Sequence, residues 1–300
     1  MAEFTPMMQQ YFSIKESYKD AILFYRLGDF YEMFFDDAVT ASRELELVLT
    51  GRDCGQEERA PMCGIPFHAA ENYIARLVAK GYKVAVCEQT EDPAAAKGIV
   101  TRDVIRIVTP GTVTESNMLP EDRNNYLAAV YLEGDAGLAF CDISTGELTV
   151  CRAAGDHVSE ETVNALARFS PSELIANKQV SSDRYLSNFI ASNSGMLLNM
   201  LSEAECDYHT NEELVTKHFG KSLEELSVDN MPGVVIALGN LLSYLYRTQK
   251  NSLGNITSLR FYNNDRYMNL GAVARRNLEL TETERRRDKK GSLLWVLDKT

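Results

Sequence analysis

The sequence has 300 residues, of which 45% are hydrophobic and 25% charged, as expected for an ordinary globular protein with more than one domain. It lacks a secretory signal and any apolar run of the roughly 18 residues that span a membrane, so we expect a cytoplasmic protein. It also lacks a C-x-x-C cysteine pair, so we expect neither a zinc site nor a disulfide framework. The net charge of −12 disfavours nucleic acid as a partner of the chain taken as a whole.

The charge is distributed unevenly along the sequence. Residues 1–113 carry 12 basic and 17 acidic side chains, residues 114–246 carry 7 and 20, and residues 247–300 carry 12 and 6. The middle segment, at −13, is therefore a poor candidate for contact with phosphates. The basic C-terminal segment is more typical of a solvated helix face than of a binding patch.

The first predicted domain spans residues 1–113 and mixes helices with strands. Thr5-Pro6 predicts a helix start, because Thr is a favoured N-cap and Pro fits the first helical position. Strands at 21–26 and 30–35 flank the turn signal Gly28-Asp29, which favours a hairpin. The remaining predicted elements are a helix from 36 to about 47, a loop at 50–56, a helix at 69–80, and strands at 83–87 and 104–108.

Two further domains are predicted after a polar linker at 114–125. Residues 126–230 show three strands joined by turns, and then alternating helices and strands, which indicates an α/β domain with some parallel pairing. An all-helical third domain is predicted to begin at 231 with a long helix over 234–249. Its pattern stops in mid-element at 300, so we expect a piece of a longer protein. The strands predicted for the second domain are 127–132, 137–143, 147–152, 173–176 and 196–201, with helices near 160–169 and 183–190.

The predicted hairpin carries the residues with the clearest chemistry. Phe30 and Glu32 are two positions apart on a strand, so they project from the same face. An exposed aromatic ring can wedge into a base step from the minor groove at a cost of a few kcal/mol. That cost is lower where base pairing is already faulty, and a neighbouring carboxylate can accept a hydrogen bond from the displaced base. From the residues alone, a strand aromatic such as Phe30 is more often buried in a core.

Ordered motifs run from one end of the sequence to the other. They are TPMMQQY at 5–11, FYRLGDFYEMF at 24–34, PMCGIPFHA at 61–69, CEQ at 87–89, DP at 92–93, RIVTPGT at 106–112, DISTGE at 142–147 and RNLEL at 276–280. In these motifs the chain resembles the MutS family of DNA mismatch-recognition proteins. The mismatch motif of that family is Phe-x-Glu within Gly-Asp-Phe-Tyr-Glu, and Phe30 and Glu32 match it residue by residue.

The resemblance implies a multidomain α/β protein that binds mismatched or unpaired bases in duplex DNA. Its parts would be a mixed-sheet mismatch-recognition domain (1–113), a ribonuclease-H-like connector domain (126–230) and the start of a helical core or lever domain (231–300). Phe30 is the implied wedge, and Glu32 the implied hydrogen-bond partner of the base. The implied candidates for contact with the DNA backbone are Arg52, Arg106, Thr109 and Thr112. A surface salt bridge is an equally good interpretation of each arginine.

The family also implies partners and activities that belong to a full-length member and not to these 300 residues alone. A full-length member would be a homodimer and a DNA-dependent ATPase that uses ATP and Mg²⁺, with a MutL-type partner docked on its connector domain, in the bacterial cytosol. We expect these 300 residues to catalyse nothing and to hold no cofactor or metal. The string Gly220-Lys221-Ser222 lacks the upstream glycine of a phosphate loop, because Val215 stands at that position.

The acidic residues of the second domain leave two other functions open. A nuclease with a ribonuclease-H-like fold gathers several carboxylates around Mg²⁺. Asp142 lies on a suitable predicted strand, with Asp135, Glu147 and Glu173 as further candidates. An acidic surface supplies such residues by chance, which is the interpretation we favour. The second alternative, a protein-interaction module, is compatible with a mismatch sensor.

Overall fold

The structure, a computed structural model, describes residues 4–91, 98–115, 118–119, 124–250, 253–262, 270–281, 283–285 and 288–298. Within these residues, two six-stranded mixed sheets are packed against helices, which confirms the predicted α/β class. The strands are β1 Ala21–Leu27, β2 Phe30–Phe34, β3 Thr50–Arg52, β4 Ala60–Pro66, β5 Lys83–Gln89, β6 Arg102–Val108, β7 Leu127–Glu133, β8 Asp135–Asp142, β9 Glu147–Ala153, β10 Glu173–Ala176, β11 Leu197–Met200 and β12 Arg260–Phe261. The helices are α1 Pro6–Glu16, α2 Phe35–Leu45, α3 Ala70–Val78, α4 Val158–Phe169, α5 Lys178–Ser182, α6 Arg184–Ser192, α7 Tyr208–Phe219, α8 Pro232–Gln249, α9 Ala272–Asn277 and α10 Leu293–Leu297.

The first unit is the sheet β3-β4-β2-β1-β5-β6 with helices α1 to α3. Strands β1 and β5 are parallel, and the other neighbours are antiparallel. Thr5 caps α1 as predicted, with its Oγ1 accepting a hydrogen bond of 3.4 Å from the amide of Met8. Residues of α2 and α3, including Ala38 and Leu77, share one apolar cluster with the sheet, and Met8 and Tyr11 of α1 join a second cluster. The sheet is therefore covered on both faces.

The hairpin was predicted correctly, whereas β3 and β4 were not predicted. The loop expected at 50–56 begins with Thr50–Arg52, which pairs antiparallel with Ala60–Pro66. Strand β4 contains Pro61 and ends at Pro66, and proline in a sequence normally argues against a strand inside a sheet. The predicted linker at 114–125 lies in part outside the described residues.

The second unit is the sheet β11-β10-β7-β8-β9-β12 with helices α4 to α8. Strands β7, β8 and β9 form the predicted antiparallel meander. Strand β10 then pairs parallel with both β7 and β11, which confirms the expected parallel pairing. One face of the sheet packs against α4 and α6, through residues such as Leu166 and Leu186. The opposite face packs against α7 and α8.

Helix α8 belongs to the second unit and does not begin a separate helical domain. Its residues Leu238 and Leu241 share one buried cluster with Leu127 of β7. The helix backbone touches the sheet, since a Cβ added at Gly137 of β8 would lie 2.0 Å from the carbonyl carbon of Gly233. This packing corrects the boundary predicted at 231. In the described part of the chain, no helix is long and apolar enough to cross a membrane.

Candidate nucleic-acid interface

The tip of the β1–β2 hairpin presents Phe30 to solvent. Gly28 in the turn has φ +56°, a conformation that glycine adopts readily and other residues rarely adopt. Phe30 begins β2 opposite Leu27 and is 48% exposed, whereas the next residue, Tyr31, is 6% exposed and packs into the core. Strand alternation therefore sends the Phe30 ring away from the cluster that holds Tyr31.

Glu32 lies two residues further along β2 and forms an ion pair with Arg52 of β3. The Glu32 side chain is largely covered, and that of Arg52 is partly exposed. Gly64 is the register partner of Glu32 on β4, and a Cβ there would lie 3.5 Å from the Glu32 Cγ. Because glycine occupies that position, β4 adds no side chain beside the Glu32 carboxylate. The site thus combines an exposed ring with a carboxylate whose charged partner is Arg52.

A second exposed aromatic residue, Phe67, lies next to this tip. It follows Pro66, the register partner of Phe30, and is 41% exposed. Its amide donates a hydrogen bond of 2.9 Å to the carbonyl of Asp29 in the turn. Sequence reasoning did not single out Phe67, although the residue lies within the motif PMCGIPFHA.

The two candidate arginines lie on opposite edges of the sheet. Arg52 is on the edge strand β3, and Arg106 is on the edge strand β6. Each is paired with a carboxylate: Arg52 with Glu32, and Arg106 with Glu115. The structure therefore brings Arg52 to the hairpin site and keeps Arg106 apart from it. In this structure the salt-bridge interpretation describes both residues.

Thr109 and Thr112 are buried, which corrects their selection as candidates for contact with the DNA backbone. Neither side chain has more than a trace of exposed surface, and their hydroxyl oxygens lie 2.8 Å apart. The amide of Thr109 also donates to the Thr112 hydroxyl at 3.0 Å. A phosphate has no access to either hydroxyl in this conformation, so we remove both from the candidate contacts.

The buried carboxylate of Glu173 explains why the Thr109 hydroxyl points inward. Its Oε2 accepts hydrogen bonds from the Thr109 hydroxyl and, at 2.9 Å, from the amide of Gly111. Its Oε1 accepts from the Asn199 side chain at 2.6 Å and from the Tyr244 hydroxyl at 2.5 Å. Burial, and then the adjacent carboxylate, raise the pKa of Tyr244 far above its ordinary range. We call Glu173 and these four donors the joint, because it connects the loop after β6 with β10, β11 and α8.

Comparison with known proteins agrees with this architecture. A family model described as MutS domain I matches residues 5–117, and one described as MutS domain II matches residues 125–257. The chain belongs to the MutS family. This finding confirms the resemblance drawn from the motifs, and the domain II match includes α8.

Several curated MutS-family relatives match the chain over its whole length. The DNA mismatch repair protein MutS of Ruminiclostridium cellulolyticum is 54% identical over 301 residues, which is 100% of this chain and 34% of that protein. The protein of the same name from Acetivibrio thermocellus is 50% identical over 301 residues, with the same coverage. That of Clostridium tetani is 51% identical over 300 residues, 98% of this chain and 32% of that protein. The chain thus spans about a third of the length of these MutS relatives.

The carboxylates considered for a nuclease are engaged separately within this MutS domain II. Asp142 is buried and accepts hydrogen bonds from the amide and hydroxyl of Ser144 at 2.9 and 2.6 Å. Asp135 is paired with Arg152, and Glu147 accepts from the hydroxyl of Tyr126 at 3.2 Å. Among the described residues, no three potential metal ligands are brought together. The geometry therefore gives the nuclease interpretation no support.

Proposed function

We propose that this chain recognises mispaired or unpaired bases in duplex DNA and so initiates DNA mismatch repair. The observation that carries the proposal is the half-exposed Phe30 at the hairpin tip, with Glu32 two residues away on the same strand. Both residues lie in the part of the chain that matches MutS domain I. The relatives are named as DNA mismatch repair proteins, which agrees with this role.

In this mechanism, Phe30 discriminates through the energy of base stacking. Insertion of its ring between base pairs requires unstacking, which costs a few kcal/mol per step in an intact duplex. The cost falls where a base is mispaired, because part of the stacking and pairing is already lost. The exposed ring gains apolar contact by insertion, in proportion to the surface that it buries. A faulty step is therefore the preferred place of insertion.

Glu32 would act by exchanging its partner. In the structure its carboxylate is paired with Arg52. A displaced base with an N–H group replaces the guanidinium as donor, and Arg52 is then free to bind a phosphate. Because one ion pair is given up for each new contact, Glu32 contributes less to affinity than an unpaired carboxylate would. Its main effect is selection among displaced bases by their donor groups.

Other parts of a full-length protein would supply the remaining activities. We propose a homodimer that binds ATP and Mg²⁺ outside these 300 residues and recruits a MutL-type partner through the second unit. The meander of β7 to β9, followed by the parallel strands β10 and β11, suits a ribonuclease-H-like connector. The chain has a net charge of −12, so most of the electrostatic attraction to DNA would come from elsewhere.

The test compares Phe30→Ala with a matched control, Phe261→Ala, which removes a 42% exposed phenylalanine from β12 of the second unit. Each variant is prepared as the 300-residue chain and also joined to the remaining two thirds of a relative. Fluorescence anisotropy at one fixed salt concentration gives the Kd for a G·T mismatch duplex and for the matched duplex. We define the mismatch preference as the ratio of the matched to the mismatched Kd.

We expect Phe30→Ala to bring the mismatch preference close to one, and Phe261→Ala to leave it unchanged. A Phe30→Ala protein that keeps the full preference would refute the proposed function. The proposed function would also be refuted if the unsubstituted protein, both as the 300-residue chain and joined to the rest of a relative, bound the two duplexes with equal Kd.

A further inference from the structure

Arg26, near the end of β1, contacts each segment that surrounds the hairpin tip. Its Nε donates a hydrogen bond of 2.5 Å to the carbonyl of Gly28 in the turn. Its Nη1 lies 3.2 Å from Oε1 of Glu88 on β5. The guanidinium carbon lies 3.8 Å from the ring centroid of Phe67 and 5.6 Å from that of Tyr31, within the range of cation–π attraction. One side chain thus connects the turn to three neighbouring segments.

The partners of Arg26 are themselves attached to the hairpin. Tyr31, the residue after Phe30, donates its hydroxyl hydrogen bond to the same Glu88 oxygen that Arg26 contacts. The amide of Phe67 donates to the carbonyl of Asp29, on the other side of the turn. The contacts therefore form a closed ring around the two turn residues that precede the proposed wedge.

Beyond the strand pairing of Leu27 with Phe30 that closes the turn, side-chain packing adds little support at Gly28. A Cβ placed on Gly28 would meet no heavy atom within 4 Å, so neighbouring side chains do not pack against this point. Ordering one residue of a free backbone costs about 1–2 kcal/mol, which a mobile turn would lose each time its ring enters DNA. A turn fixed before binding avoids that loss, and the energy of insertion then goes into discrimination.

Resting on the proposed function, we propose that Arg26 is a positioning residue that preorganises the Gly28-Asp29 turn and so fixes the direction of the Phe30 wedge. Arg26 does not act as a phosphate ligand in this scheme. Its side chain is only 15% exposed, its charge is matched by Glu88, and the Phe67 ring lies against its guanidinium. Replacement of Arg26 should consequently change mismatch preference and leave the salt dependence of DNA binding as it was.

The experiment replaces Arg26 by Met, which keeps much of the length without charge, and by Lys, which keeps the charge without the planar group. Arg168→Met is the matched control, because Arg168 also lies over an aromatic ring, that of Tyr262 at 4.3 Å, but in the second unit. Mismatch preference is measured as for Phe30→Ala, in the chain alone and joined to the rest of a relative. A 2-aminopurine beside the mismatch reports unstacking by its fluorescence, and Kd is measured against salt concentration.

We expect Arg26→Met to lower mismatch preference by about five- to tenfold, within the range of one lost hydrogen bond of ordinary strength. The 2-aminopurine fluorescence that reports unstacking falls together with the preference. Arg26→Lys lowers the mismatch preference to an intermediate degree. The slope of log Kd against log salt stays as in the unsubstituted chain, and Arg168→Met changes none of the three measurements.

The outcomes separate this inference from the proposed function. If Phe30→Ala abolishes the preference while both Arg26 variants keep it together with the fluorescence signal, the positioning role is refuted and the wedge stands. A salt slope lowered by about one unit in Arg26→Met also refutes it, since that result identifies a phosphate ligand. If Phe30→Ala has no effect on mismatch preference, the proposed function is refuted, and the positioning role of Arg26, which rests on it, is refuted with it.

Two further variants keep the test decisive if Arg26→Met does not fold. Glu88→Gln removes the charge that holds the guanidinium, and Phe67→Leu removes the ring against which it lies. Each leaves Arg26 in place with one support fewer, so we expect about a two- to fivefold loss of preference. Full preference in both variants, with a thermal midpoint unchanged, would refute the positioning role.

Discussion

The hairpin tip and the joint each hold a glutamate among polar partners, but the two regions are built differently. At the tip, the charged partner of Glu32 among the described residues is Arg52, on the edge strand β3, with β4 between the two strands. In the joint, Glu173 is fully buried and accepts hydrogen bonds from four neutral donors. The first carboxylate can exchange its partner without leaving a buried group unpaired. The second cannot, because three of its four donors, Thr109, Gly111 and Tyr244, are buried and would lose this acceptor in the interior.

The two glutamates therefore have different roles: Glu32 is placed for binding, and Glu173 stabilises the fold. A buried donor left without an acceptor costs about 1–3 kcal/mol, and the joint contains several of them. An ion pair at a partly exposed site contributes about 0–1 kcal/mol. Residues of the tip are consequently free to serve binding, whereas residues of the joint are committed to the fold.

Removal of each carboxylate should have very different effects on stability. We expect Glu173→Ala to lower the free energy of unfolding by about 3–5 kcal/mol, because its donors are left unpaired in the interior. Glu32→Ala should lower it by less than about 1 kcal/mol. Urea unfolding followed by circular dichroism measures both. Equal losses would show that the tip is as structural as the joint.

Two glycines provide a finer comparison of the same regions. A Cβ at Gly111 would lie 2.8 Å from the Cβ of Glu173 and 3.1 Å from that of Leu127, and neither atom can move freely. We expect Gly111→Ala to destabilise the chain by about 1–3 kcal/mol. At Gly64 the nearest atom, the Tyr31 carbonyl oxygen, is 3.4 Å away, so Gly64→Ala should cost less than about 0.5 kcal/mol. Thermal unfolding would contradict this ranking if Gly64→Ala were the less stable variant.

Alkaline pH should weaken both regions through one tyrosine in each. Burial, followed by a neighbouring carboxylate, raises the pKa of Tyr31 and of Tyr244 well above the ordinary value of 10.0. The folded chain keeps these phenol protons where the unfolded chain releases them, so the free energy of unfolding falls as the pH rises above about 10. Tyr31→Phe and Tyr244→Phe should each reduce that slope by about one proton. Urea midpoints measured between pH 9 and 11.5 would contradict the pKa directions if the slopes did not change.

The smallest effect is expected from the arginines of the two sheet edges. Arg52→Gln should reduce the slope of log Kd against log salt by up to about 0.9, because one phosphate contact is lost. Arg106→Gln is the matched variant on the opposite edge of the sheet. A comparable loss there would extend the DNA contact across the sheet, and an unchanged slope would restrict the contact to the β3 edge. An unchanged slope in Arg52→Gln would remove that residue from the interface.

Local sequence signals were sufficient for the hairpin and the meander. Gly28-Asp29 between two apolar runs fixes the turn, and the alternation after it places Phe30 and Glu32 on one face. Both signals involve residues only a few positions apart. Strand β4 was not predicted, because Pro61 and Pro66 argue locally against a strand, whereas pairing with β2 and β3 stabilises it as one.

Contacts between distant residues were the part that the sequence could not provide. Thr109 and Thr112 were selected through the family resemblance, and Glu173, which accepts the hydrogen bond of the Thr109 hydroxyl, lies 64 residues beyond Thr109. Helix α8 was predicted as a helix, but its apolar residues gave no indication of which sheet it covers. The partner of Glu32, Arg52, was selected for its charge and not for its distance from the hairpin. These three results depend on tertiary packing.

The position of α8 also has a consequence for synthesis of the chain. The apolar face of β7 and β8 that it covers, including Ala139 and Cys141, is complete once residue 142 has been made. Helix α8 ends about 100 residues later, which at about 5–20 residues per second is a delay of roughly 5–20 s on the ribosome. During that interval the nascent sheet exposes an apolar face that can aggregate. Whether the chain folds correctly then depends on translation speed and on chaperones. A gene truncated before codon 232 would make that exposure permanent.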